Sequence, residues 1–326
     1  MLRRPANGAT VSFSMKPAKG PWGGSSAFVT QLSRHLKARG YRVRYDLEGD
    51  IDLVVLIDPR IDKLKPYAHE QIAEYRRKHP GVKVLHRVNE CDQRKDTGFM
   101  DDLLREASEV ADMTVFISDW LRAYFVERGF DPERPHRVVY NGADPAIFHP
   151  LGKARWQRGR EPLRLITHHW SNHMLKGFDV YEQVDHLIAD GGLKDVHLMV
   201  MGRWPDSIQW KAAELISSRR GAAMAEVLRS AHAYLTASRW EPCGMHHVEG
   251  AQCGLPLIYH EDGGGIVEAG QRYGIGFRED PARAIQSFMQ DYDTYQQRLL
   301  RSIPSGDRMC LDYLDAIQEL LAFRDA

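Results

Sequence analysis

The sequence predicts an α/β chain of two similar halves, each a parallel sheet with helices on both faces. Three observations carry this. Short apolar, β-branched runs alternate with stretches of helical period through the first half. The alternation breaks over residues 149–162, which hold Pro, Gly and the basic residues His149, Lys153, Arg155, Arg158 and Arg160, and it restarts at Leu163. A length of 326 residues suits two domains, although one large domain fits it too.

Taken in order, Thr10–Ser14 alternates as a first strand. A Gly/Pro loop through Gly23 and Gly24 leads to a helix with Phe28, Leu32 and Leu36 on one face and Gly40 as its stop. Strands are expected at 42–45, 53–57, 82–85 and 113–117, with helices at 68–78 and 101–111 between them. Ser118 caps a helix carrying Leu121, Tyr124 and Phe125. Val138–Tyr140 is a short strand, and Asn141-Gly142-Ala143-Asp144 is a turn by composition. In the second half, strands are expected at 163–167, 196–201, 233–237 and 257–259. Helices are expected at 178–188, 222–231 and 245–252. After about Phe277 the alternation fades, and helices at 282–291 and 308–323 finish the chain. The expected domains are 1–150, 151–305 and a C-terminal helix, 306–326, with the N-terminal domain as a surface to pack back on.

Composition narrows the functions. Lys+Arg and Asp+Glu both total 44, so there is no polyelectrolyte signal for nucleic acid. There is no run of 18 apolar residues and no apolar core behind Arg3-Arg4, so neither a spanning helix nor a signal peptide is expected. The four cysteines form no CxxC pair, which points to a reducing, cytoplasmic setting and away from a cysteine-based zinc site. Residues 1–50 hold nine Lys/Arg against three acids. Two readings stand for that excess: a solvated helix face, or a surface for an anionic acceptor or the inner face of a membrane. Gly274-Ile275-Gly276 approaches a dinucleotide fingerprint, but Glu279 occupies the third glycine position, so a nicotinamide dehydrogenase is disfavoured.

The most informative stretch runs from Glu241 to Ile258. An apolar strand ends, Gly244 turns the chain into a short helix, and Glu241 and Glu249 stand with seven residues between them. Gly263-Gly264-Gly265 opens the next helix. In open α/β sheets ligands bind at the carboxyl ends of strands.

Glu241-x7-Glu249, with Gly254-Leu255-Pro256 and Gly263-Gly264-Gly265-Ile266-Val267-Glu268 following, resembles the nucleotide-sugar site of retaining glycosyltransferases of family GT4. Four features agree in chain order: Gly23-Gly24 before the first helix, Ile117-Ser118, Tyr140-Asn141-Gly142-Ala143-Asp144 with Phe148, and Lys176-Gly177. Together they span roughly residues 10–280. The resemblance implies a GT-B fold of two Rossmann-like domains facing across a cleft. It implies transfer of a sugar, hexosyl in type, from a nucleoside-diphosphate sugar to a glycan, lipid or small-molecule acceptor. Surface polysaccharide or glycoconjugate synthesis is the expected setting, and no metal or other cofactor is required.

The residue types suit that chemistry. A carboxylate accepts two hydrogen bonds at once, so Glu249 suits ribose hydroxyls, as the resemblance implies, and Glu241 suits hydroxyls of the transferred sugar. The departing diphosphate needs donors and positive charge. Lys176 is the cation; the N–H groups of Gly263, Gly264 and Gly265, and of Gly23 and Gly24 in the other domain, are candidate phosphate donors. In this family the leaving phosphate takes the acceptor proton in a front-face attack, so no protein nucleophile is sought.

The chain also departs from the family. Where many relatives carry a histidine after the strand at 82–85, Asn89 stands. Asn89 is read as orienting a sugar hydroxyl and Glu90 or Asp92 as contacting the acceptor; a polar loop with local turn bonds is the other reading, and no general base is assigned. The usual arginine before the lysine is missing from His168-His169-Trp170-Ser171-Asn172-His173-Met174-Leu175-Lys176. Arg203 is a candidate second cation, against a plain surface arginine, and His168 and His169 are candidates to bond phosphate. A zinc site from His169, His173, His246 and His247 is disfavoured, because 170–172 reads as loop. Two other functions stay in play: a sugar-nucleotide epimerase or hydrolase, and a non-catalytic nucleotide-sugar-binding protein.

Overall fold

A computed structural model describes residues 8–18 and 24–322. The chain divides into two compact units, Met1–Asn141 with Gly306–Ala326, and Gly142–Ser305.

The first unit holds β1 (Thr10–Phe13), α1 (Gly24–Lys37), β2 (Arg42–Arg44), β3 (Leu53–Leu56), α2 (His69–Lys78), β4 (Lys83–Val88), α3 (Asp92–Lys95), α4 (Met100–Glu109), β5 (Met113–Phe116), α5 (Asp119–Val126) and β6 (His136–Val138). The sheet order is β2-β1-β3-β4-β5-β6, every pair parallel. Alternation along β3 splits its side chains. Leu53 and Val55 enter a core with Phe28, Leu32 and Leu36 of α1, while Val54 and Leu56 enter another with Ile72 and Tyr75 of α2. The final helix of the described chain (Gly306–Ala322) belongs to this unit. Met309, Cys310, Tyr313, Leu314, Ile317, Leu320 and Leu321 recur at helical spacing and close the α1 face of the core. Tyr313 meets Phe28 edge-on, 4.7 Å between ring centres, and Arg137 of β6 pairs with Asp315 and Glu319.

The second unit holds β7 (Leu163–His169), a 3-10 turn (Met174–Lys176), α6 (Phe178–Ala189), β8 (Val196–Gly202), β9 (Glu214–Ile216), α7 (Gly221–Ser230), β10 (Ala233–Thr236), α8 (Met245–Gln252), β11 (Leu257–His260), α9 (Gly265–Tyr273), β12 (Gly274–Phe277), α10 (Pro281–Gln290) and α11 (Tyr292–Leu300). Its sheet runs β12-β11-β10-β7-β8-β9, again all parallel. Residues 149–162 are not a loose connector. Lys153 donates to Tyr292 and Gln296, Ala154 bonds Arg229, and Trp156 packs edge-on to Tyr292.

Two strands run further than their sequence pattern suggests, and both extensions carry buried polar residues. β4 continues through His86, Arg87 and Val88, and β7 through His168 and His169. Each polar side chain has an interior partner. His86 meets Ser108, and Arg87 lies over the Phe28 ring at 4.2 Å while bonding Asn141. Burial keeps the His86 imidazole neutral, its pKa pushed down to about 3. The short strands β9 and β12 and the helices α3 and α11 had no clear local signal. All four cysteines are free and buried, and no helix among the described residues is long and apolar enough to cross a membrane.

Candidate functional site

Strand order locates the place to look. In the second sheet β7, β8 and β9 run outward one way, and β10, β11 and β12 the other, so the order reverses between β7 and β10. Loops leaving adjacent strands at such a point diverge and leave a crevice at the carboxyl ends. The chain after β7 carries Lys176, and the chain after β10 carries Glu241 and then Glu249.

Lys176 closes the 3-10 turn and reaches Glu241, Nζ to Oε2 2.8 Å, with both side chains little exposed. Three contacts fix the two loops to each other. Arg239 N–H donates to Leu175 O, the Ser238 hydroxyl donates to Lys176 O, and Arg239 grips Asp179 with both terminal guanidinium nitrogens. Trp240, just before Glu241, sits at φ 50°, unfavourable for a bulky residue, with its N–H held by Asp262 O.

The glycine run does a different job from the one its composition suggested. Glu241 and Gly264 form an isolated parallel bridge, in which Glu241 N–H donates to Gly263 O and Gly265 N–H to Glu241 O. Gly263 N–H is taken by His260 O. Gly264 has φ 66°, and a Cβ there would lie 2.8 Å from Glu241 O. The run therefore lets the start of α9 approach the Glu241 backbone. The N–H groups of Gly263 and Gly265 are already committed within the fold.

α8 is a buried helix lying on β10. Gly250 makes this possible, since a Cβ at that position would lie 2.5 Å from the Tyr234 ring. The close approach turns Glu249 toward the end of β7. There the alternation of the strand sends its two histidines to opposite faces. His168 faces α8: its Nε2 lies 2.9 Å from Glu249 Oε2 and its Nδ1 3.1 Å from the Tyr234 hydroxyl. His169 faces α6, its Nε2 within 3.0 Å of both Tyr181 Oη and Thr167 Oγ1. Both rings are buried, so neither is a solvent-facing phosphate ligand as expected. His246 and His247 are buried in α8 as well. Burial, reinforced by the neighbouring His169 and Lys176 charges, holds His246 well below the usual imidazole range, and burial takes His247 down to about 4. His173 stands apart on the surface, where its ring accepts from Leu175 N–H and caps the turn. Among the described residues no group of three His, Cys, Asp or Glu side chains is arranged to hold a metal. Arg203 is exposed just beyond β8, its backbone N–H on His169 O.

In the first unit the order reverses between β1 and β3. Asn89, leaving β4, lies against both flanking loops. In the amide orientation that satisfies both its ends, Oδ1 accepts from Ser25 Oγ (2.9 Å) and Arg87 (3.2 Å), and Nδ2 donates to Ile57 O (3.2 Å). Gly24 opens α1 beside Ser25; Gly23 lies outside the described residues. Glu90 is near Lys95 at 3.6 Å. Asp92 departs from its expected role at the acceptor. Its carboxylate accepts from Thr97 Oγ1 and from the N–H groups of Phe99, Met100 and Asp101, so it holds the start of α4. Burial opposes its ionisation, but these bonds prevail and keep its pKa below the usual carboxylate range.

No family model matches the chain, and no curated protein matches it. Solved structures do match in shape. Sucrose-phosphate synthase from Thermosynechococcus elongatus superposes with a TM-score of 0.69 at 16% identity, covering 96% of this chain and 99% of that one. The chain has the GT-B fold. Anabaena HepE in complex with UDP and glucose matches at 0.64 with 13% identity, over 96% of this chain and 100% of that one. WaaG, a glycosyltransferase involved in lipopolysaccharide biosynthesis, matches at 0.57 with 15% identity, over 89% and 94%. On this GT-B frame, Arg87, Tyr234 and the His168–Glu249 contact are what the sequence reading missed. Val88 was the one available signal, an apolar residue continuing the β4 pattern past two polar ones.

Proposed function

We propose that this chain is a retaining glycosyltransferase of the GT4 type, which binds a nucleoside-diphosphate sugar on its second unit and passes a hexosyl group to a carbohydrate or glycolipid acceptor. One observation carries the reading: at the carboxyl edge where the strand order reverses, Lys176 pairs with Glu241, and Glu249 is held by His168. The fold shared with a glycosyltransferase of lipopolysaccharide biosynthesis, and with a protein solved in complex with UDP and glucose, supports it.

In this reading Glu249 accepts from the ribose hydroxyls and Glu241 from hydroxyls of the transferred sugar. Lys176 then exchanges its internal partner for the diphosphate and stabilises the negative charge that grows as the glycosidic bond breaks. Gly264 contributes chiefly by keeping Glu241 in place, and Arg203 is the exposed cation nearest the end of β8 able to meet phosphate. The acceptor side is assigned to the first unit, through Asn89 and Glu90. No metal is required, because Lys176 supplies the positive charge. The exposed Arg34, Lys37 and Arg42 suit an anionic or membrane-bound acceptor, and the reaction is placed in the cytoplasm, in glycoconjugate synthesis.

A thermal-shift series with UDP, GDP, ADP and their sugars tests the donor, since a ligand bound by the native state raises the unfolding temperature. One nucleotide class should stabilise the protein, and Glu249→Ala should abolish the shift. Donor incubated without acceptor should hydrolyse only slowly; fast hydrolysis or epimerisation would favour a different enzyme class. A flat response to every nucleotide would refute the proposal.

A further inference from the structure

We infer that His168 is a positioning residue which, with the Tyr234 hydroxyl, fixes the Glu249 carboxylate for ribose recognition; the inference rests on the reading of the second unit as a nucleotide-sugar site.

The hydrogen-bond roles follow from counting protons. An ionised carboxylate only accepts, so the 2.9 Å contact requires a proton on His168 Nε2. In a neutral imidazole Nδ1 must then accept, and the group it faces is the Tyr234 hydroxyl at 3.1 Å. That hydroxyl already accepts the backbone N–H of His168 at 3.0 Å, and His246 Nδ1 stands 3.3 Å away as a second donor. Its two lone pairs face these donors, and its proton takes the nearer acceptor, His168 Nδ1 at 3.1 Å, rather than His168 O at 3.4 Å. Tyr234 stays protonated because burial raises its pKa well above the ordinary phenol value. The path therefore runs one way, from Tyr234 O–H to His168 Nδ1, and from His168 Nε2–H to Glu249 Oε2.

The consequence is a carboxylate with one oxygen anchored and the other without a partner among the described residues. His168 is fully buried, while Glu249 keeps about a tenth of its side-chain surface exposed (12%). A carboxylate fixed in this way meets ribose hydroxyls with little rotamer entropy left to lose, which is where preorganisation adds affinity. Lys176, the cation assigned to the diphosphate, pairs with Glu241 and is not part of this path. His168 and Tyr234 therefore act on discrimination of the sugar of the nucleotide, separately from affinity for its charge.

The test is calorimetric titration of the full chain with UDP, GDP and ADP, each beside its 2′,3′-dideoxy counterpart. Wild type, His168→Ala, His168→Gln and Tyr234→Phe are compared, with circular dichroism to establish folding. Wild type should prefer the ribonucleotide of the class it binds by roughly ten- to a hundredfold, the worth of hydrogen bonds to a charged group. His168→Ala and Tyr234→Phe should lose most of that ratio, yet bind the dideoxy nucleotide as wild type does. His168→Gln, which keeps an N–H donor within reach of Glu249, should recover part of it. Equal losses for both nucleotides would mean a merely structural role and would overturn the inference, as would an unchanged ratio in folded His168→Ala. If wild type bound a diphosphate but ignored the ribose hydroxyls, the Glu249 assignment would fall and this inference with it. If wild type bound no diphosphate, the proposed function itself would fall first.

Discussion

Each sheet reverses its strand order once, between β1 and β3 and between β7 and β10, but the two spend the polar residues at that edge differently. In the second unit Glu249 is held at one oxygen by a buried histidine, and Glu241 by a lysine from another loop. In the first unit Asp92 has both oxygens engaged by the start of α4, and Asn89 is bracketed by Ser25, Ile57 and Arg87. A dense polar stretch therefore does not mark a ligand site by itself. What marks it is hydrogen-bonding capacity left over after the fold has taken its share.

The sharpest way to break this comparison is to remove the cation from the second unit. Lys176→Ala should lower kcat/KM for sugar transfer by about 10²–10³-fold, the scale for losing one preorganised group at a developing charge. Because it also strands Glu241 without its closest cation, folding should be checked by thermal unfolding. Arg60→Ala, at the corresponding edge of the first unit, removes a half-buried guanidinium already committed to Asp58, and should change turnover far less. Equal losses would show that the first unit also supplies charge to the reaction.

Acid should separate the units next. His232, His246 and His247 of the second unit are buried with their pKa values pushed down, His232 and His247 to about 4, chiefly by burial. Among fully buried histidines of the first unit, His86 is the counterpart, at about 3. Unfolding frees these imidazoles to bind protons at their ordinary pKa near 6.5. Their stabilising effect is thus complete above that pH and is lost progressively as pH falls toward 4. For His247 the full loss is on the order of 3 kcal/mol. Hydrogen exchange at pH 7 and pH 5 should show protection falling earlier in β7, β10 and α8 than in β3 and β4. Simultaneous loss would mean that the units unfold together.

The alternation of strands and helices was legible because parallel strands buried on both faces read as apolar runs. The ends of β4 and β7 were not. Histidine and arginine read as loop, and what buries them comes from far along the chain: Phe28 and Asn141 for Arg87, Tyr234 and Glu249 for His168. Glu241, Glu249 and Lys176 stood out by spacing, but their contacts did not. The triple glycine stood out as a candidate phosphate cradle, and only the bridge to Gly264 shows that it also brings the start of α9 against the Glu241 backbone. Replacing that glycine should test the role. Gly264→Ala forces an unfavourable φ and a clash with the Glu241 backbone, and should cost about 1–3 kcal/mol of stability. Donor binding should weaken along with it, because Glu241 moves.

Asp92 gives the smallest expected effect and the clearest contrast with Glu249. Asp92→Ala removes the acceptor for the N–H groups of Phe99, Met100 and Asp101, a capping loss of about 0.5–2 kcal/mol. Since its pKa is lowered in the folded chain, the stabilisation is present above the ordinary carboxylate pKa and disappears as pH falls through the folded value. Urea titrations should therefore separate wild type from Asp92→Ala at pH 7 and bring them together in strong acid. Turnover per folded molecule should not change, because both carboxylate oxygens are already held by the fold, Oδ1 by Thr97, Phe99 and Met100 and Oδ2 by Asp101. A fall in acceptor affinity with stability intact would return Asp92 to the acceptor site, and would show that this edge too keeps capacity in reserve.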